Sequence, residues 1–138
     1  MALQHPTAAS IEPNASLREW WIVITTLLLA AIFIEAIFAG AMLSGVEWAR
    51  TAHKVNAAIL IGSTLIAGLA AVVTLRRVAH GLKLGLTLLS LAASIFLQAV
   101  VGALSAKGAN LLWVHVPLGV ALFGFAARAA AITRRMGR

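Results

Sequence analysis

The sequence contains no cysteine. The chain therefore builds no disulfide, no thiolate metal site and no iron–sulfur cluster, and it attaches no haem covalently through a Cys-x-x-Cys-His motif. Charge is also scarce. Charged residues are 11% of the 138, against roughly 25% in a soluble domain. A soluble domain is excluded on that ground, and so are disordered and fibrous chains. Of the three prolines, two fall within the first 13 residues and the third is Pro117. What fills the chain is apolar: 62% of residues are hydrophobic and the mean hydropathy is +0.98.

Four apolar stretches are long enough to cross a bilayer, since about 20 residues at 1.5 Å rise span a ~30 Å core. They run from Trp20 to about Leu43, Ala52 to Leu75, Leu84 to Leu104 and Leu111 to Ala131. Their length and Ala/Leu content, without alternation, exclude the strands of a barrel. The three connections are short, so the expected fold is all-α: an integral membrane up-down four-helix bundle, one domain over 18–132. Residues 1–17, polar and with two prolines, read as a flexible tail, and 133–138 as a basic C-terminal tail. Small residues predict close helix contacts at Gly81 and Gly85, and along Ala36, Gly40 and Ser44.

The net charge of +7 lies between and beyond the apolar runs, which suits anionic lipid headgroups and not nucleic acid. Arg18, Arg76, Arg77, Lys83, Arg128, Arg134, Arg135 and Arg138 fall on one side. Only Arg50, Lys54 and Lys107 fall on the other. The positive-inside rule then puts both termini in the cytoplasm of a bacterial or archaeal cell. Trp20, Trp21, Trp48 and Trp113 mark span ends, as interfacial tryptophans do.

Two segments superpose. Glu35-AIFAGAMLSGVEWARTA-His53 and Gln98-AVVGALSAKGANLLWV-His115 each end one helix with a Gly-Ala pair, pass a loop containing Trp and open the next helix with a histidine. Gly40 precedes His53 by 13 residues, and Gly102 precedes His115 by 13. The chain reads as two helical hairpins related by a pseudo-twofold axis along the membrane normal. Two inward imidazoles at one depth suit one haem b held from both faces. One turn on, Ala57 and Gly119 are small and leave room for a flat macrocycle. Arg50, Lys54, Lys107 and Asn110 are the candidates to meet its propionates. A zinc ion would require a third ligand, for which Glu47 is the nearest candidate. His5 and His80 read as solvated.

Glu35 is the one acidic residue well inside a span, and Gln98 takes its place in the second copy. A buried carboxylate is protonated or paired. Glu35 is therefore open to bonding a haem ligand or a neighbouring helix, to carrying protons, or to binding a cation. Pro117 removes a backbone hydrogen bond early in the fourth helix, where the loss costs least, and bears on the direction of His115. Asn56, Ser63 and Thr64 are expected to have no special role.

The stretches LQAVVGALSAKGANLLWVHVPLGVALFG (97–124) and FIEAIFAGAMLSGVEWARTAHKVNAAILIG (33–62) resemble the two hairpins of one four-helix half of the haem A synthases. The resemblance implies bis-histidine ligation of one haem b by His53 and His115. The chain departs from that family around the first histidine: Glu47 lies six residues before His53 where the family has a Glu three before, and Lys54 stands where it has Arg. Oxidation of a haem methyl is not carried over. The expected function is electron transfer by a small membrane cytochrome b, with quinone or a redox protein as partner, as a homo-oligomer or as a subunit of a larger complex. The alternatives are a proton-coupled multidrug-type exporter using Glu35, a non-catalytic structural subunit, and a synthase-like enzyme.

Overall fold

The computed structural model describes residues 14–136. Four helices follow in order: α1 (Ala15–Leu43), α2 (Ala49–Thr74), α3 (Gly81–Ala106) and α4 (Leu112–Arg135). Each is long and apolar enough to cross a membrane. The expected tails are shorter than predicted. Asn14 caps α1 by accepting the Ser16 N–H, so 15–17 are helical. At the other end α4 runs through Arg135, and Met136 is buried. The rest of the expected N-terminal tail, His5 included, and the last two residues lie outside the described residues.

Packing is between chain neighbours, and α1 closes the ring on α4. The bundle is therefore square, with α2 diagonal to α4 and α1 diagonal to α3. The termini and the α2–α3 loop share one end, called here the terminal end. The α1–α2 and α3–α4 loops form the loop end.

Every helix turns a seam of alternating 3- and 4-residue steps inward, the spacing of an inward face at 3.6 residues per turn. In α1 it is Trp21, Thr25, Leu28 and Ile32. In α2 it is Leu60, Thr64, Ala67 and Ala71. In α3 it is Leu84, Leu88, Leu91 and Ile95, and in α4 it is Leu122, Ala126, Ala129 and Thr133. All are buried. Glycines bring α2 and α3 together. A Cβ at Gly68 would lie 2.9 Å from the Leu89 backbone nitrogen, and one at Gly85 would lie 2.8 Å from that of Val72. Gly81 abuts the Leu75 carbonyl. Close contact at Gly81 and Gly85 is thus as expected, whereas Ala36, Gly40 and Ser44 are exposed and Gly40 faces open space. That stripe lies on the outward side of α1, because the inward seam runs through positions 32, 35 and 39. Thr25 and Thr133 hydroxyls meet at 3.0 Å and tie α1 to α4.

Pro117 is the sixth residue of α4, past the first turn whose N–H groups have no partner in any case. It thus removes a bond the helix would otherwise make, a larger loss than its place in the sequence suggests.

Candidate functional site

The four seams continue to the loop end and change chemistry there. The next positions are Glu35 and Ala39 on α1, Ala57 and His53 on α2, Gln98 and Gly102 on α3, and Gly119 and His115 on α4. They keep the same 3- and 4-residue steps, so they face the same axis as the core. Counted from the loop end, they form two layers. The outer layer is Ala39, His53, Gly102 and His115, with the histidines on diagonal helices and small residues between them. The inner layer is Glu35, Ala57, Gln98 and Gly119, again two polar groups on one diagonal and two small residues on the other. Beneath lie Ile32, Leu60, Ile95 and Leu122, each under 9% exposed, as an apolar floor.

None of the eight residues above the floor is fully buried. The terminal half is closed mainly by leucine and alanine, while the loop half is lined by polar and small groups.

The first half-site is a linked set. Nδ1 of His53 lies 3.0 Å from Oε1 of Glu35. The distance is within hydrogen-bond reach, yet Nδ1 has no partner of full hydrogen-bond geometry. Asn56 Nδ2 donates to Oε2 of Glu35 at 2.7 Å and to the Ala31 carbonyl at 3.1 Å. Glu35 is thereby held by α2 on both oxygens. Asn56 has a role the sequence reading denied it. Its signal was its place: three residues after His53, it lies on the same face of α2.

The second half-site is built differently. Gln98 Nε2 donates to the backbone carbonyl of His115 at 2.7 Å, not to its ring. That Gln98 nitrogen also sits 3.2 Å from where a Gly119 Cβ would be. The ring of His115 lies against Gly102, where a Cβ would come 2.7 Å from Cε1. Gly102 is a site residue that its place in the repeat did not reveal. A Cβ at its counterpart Gly40 would meet nothing within 4 Å, so the repeat expected from the sequence is not kept in these side-chain contacts. Nδ1 of His115 and Oε1 of Gln98 are buried without a partner.

Of the two expected haem ligands, only His53 has a side-chain group within reach of its second ring nitrogen. A metal-bound imidazole commonly turns its second nitrogen to a carboxylate or a carbonyl, which fixes the ring. His53 brings Nδ1 within 3.0 Å of Glu35, without full hydrogen-bond geometry. Gly102 and Gly119 give up their side-chain volume to the His115 ring and the Gln98 amide, and Ala39 and Ala57 are the other small residues of the two layers. Arg50, Lys54, Lys107 and Asn110 are exposed at the loop end. Zinc fits less well. Glu47 is exposed in the α1–α2 loop, and no group of three or more metal-ligating side chains forms among the described residues. His80 is exposed, as expected, and adopts a left-handed conformation (φ 63°) just before α3.

Compared with known proteins, the chain matches no family model, no curated protein and no solved structure.

Proposed function

We propose that this protein is a small membrane cytochrome b that holds one haem b between His53 and His115 and passes single electrons. One observation carries the reading: two imidazoles stand on diagonal helices in one layer, with Ala39 and Gly102 as its other members, above a sealed apolar floor. Haem, when bound, supplies a one-electron iron couple. With His53 and His115 both holding the iron, no coordination position would stay open, which would favour electron transfer over oxygen chemistry. Glu35 orients the His53 ring, and Asn56 holds Glu35 in place. Gln98 fixes the start of α4 through the His115 carbonyl. The floor of Ile32, Leu60, Ile95 and Leu122 keeps water from entering from the terminal end. Arg50, Lys54, Lys107 and Asn110 would meet the propionates.

The charge asymmetry orients the loop end outward, so electrons would enter or leave near the outer face of the membrane, to quinone or a redox protein. The test is optical. Protein made with ample haem should give sharp reduced-minus-oxidised bands of low-spin haem b, and His53→Ala or His115→Ala should abolish them. Pigment-free wild-type protein would overturn the reading. An exporter built on Glu35 would instead lose proton-coupled efflux with Glu35→Gln and tolerate both histidine changes.

A further inference from the structure

At the terminal end, away from the histidines, a groove of about 550 Å³ runs along the outside of α3 and α4. Leu82, Leu86 and Phe125 give it apolar walls. Lys83, Arg128 and the Ser90 hydroxyl give it polar ones. No carboxylate lines it.

Arg128 lies seven residues before the end of α4, which is roughly 10 Å along the helix. A guanidinium at that depth on the outside of a membrane bundle is costly unless it is paired or reaches the interface. Among the described residues, the single ion pair is His53 with Glu35, so no carboxylate answers Arg128. Lys83 is the third residue of α3 and points a second cation at the same groove. Two cations toward the terminal end, an exposed hydroxyl and apolar walls on the same groove match one ligand chemistry. It carries a phosphate at one end and acyl chains at the other.

We infer that this groove is a binding site for one anionic phospholipid. Its phosphate lies between Lys83 and Arg128, and its chains lie along Leu82, Leu86 and Phe125. The lipid supplies the negative charge that the chain does not provide there, and basic pockets between helices are suited to such headgroups. The site is independent of haem binding.

The full chain, purified in detergent, would be titrated with phosphatidylglycerol, phosphatidylcholine or inorganic phosphate. Bound lipid would be counted by native mass spectrometry and thermal stability recorded in parallel. Wild-type protein should retain one phosphatidylglycerol in preference to phosphatidylcholine, and the lipid should raise its Tm. Lys83→Gln with Arg128→Gln should weaken that retention roughly tenfold or more. Arg76→Gln with Arg77→Gln, which removes as much charge outside the groove, should leave it intact. Leu86→Trp, which fills the groove and keeps both cations, should also displace the lipid, so a folding defect in the charge variant would not decide the matter. Equal retention of the two lipids by wild-type protein would overturn the site. So would equal losses from the Lys83/Arg128 and Arg76/Arg77 double variants, or stabilisation by inorganic phosphate as large as that by the lipid.

Discussion

At the scale of single residues, the His115 ring depends on the absence of a side chain at 102. Any Cβ there would stand 2.7 Å from the ring, well inside van der Waals contact, and the ring is the group free to move. Gly102→Val should therefore displace His115 and abolish the haem bands, while Gly40→Val, whose Cβ meets nothing, should leave them unchanged. Spectra of the two variants side by side check this. Glu35 acts through His53. Replacing its carboxyl by an amide in Glu35→Gln should make the ligand a poorer donor and raise the reduction potential, by something on the order of 60 mV, a tenfold change in a one-electron equilibrium. Asn56→Leu leaves the carboxylate without its 2.7 Å donor and should weaken haem retention about tenfold, the lower end for lost outer partners of a metal ligand. Redox titration and haem transfer to apomyoglobin measure the two. An unchanged potential in Glu35→Gln would leave Glu35 as a helix-register contact only.

At the scale of the helices, four seams of one period carry two chemistries. Below the floor they hold leucine, alanine, threonine and Trp21, and above it they hold histidine, glutamate, glutamine and small residues. The period is in the sequence, and it places His53 and His115 on the core faces of α2 and α4 without any coordinates. The glycine contacts are less legible, because an Ala-rich chain produces small-residue spacings by chance. Gly81 and Gly85 meet α2 or the turn that follows it, whereas Gly40 meets nothing. The difference is one of helix phase relative to the neighbour. Gly85→Ala should cost about 1–3 kcal/mol through overpacking against the Val72 backbone. Gly124→Ala, with open space around it, should be neutral or stabilising by up to about 1 kcal/mol, since alanine favours helix. Thermal unfolding of both variants in the same detergent gives the comparison.

At the scale of the whole molecule, the charge asymmetry makes a prediction about sidedness. The chain has no cysteine of its own, so single introduced ones report cleanly. A cysteine at Ser44 or Lys107 should be labelled by an impermeant reagent from outside the cell, and one at Arg76 only after the membrane is opened. The reverse pattern would place the histidines at the cytoplasmic face. The sequence alone determined the four apolar helices and their order along the chain, because hydropathy is a local property, while each helix runs past its expected span at one end or both and the Ala36, Gly40 and Ser44 stripe turned outward. It also marked the paired histidines, through their repeat. Only the tertiary structure decided which helices are diagonal, that Glu35 reaches His53 while Gln98 reaches the His115 backbone, and that Asn56 and Gly102 belong to the site. Those facts depend on the rotation and separation of helices distant in sequence, which near-identical local patterns leave free. The two hairpins are alike as strings of residues, and packing made them different.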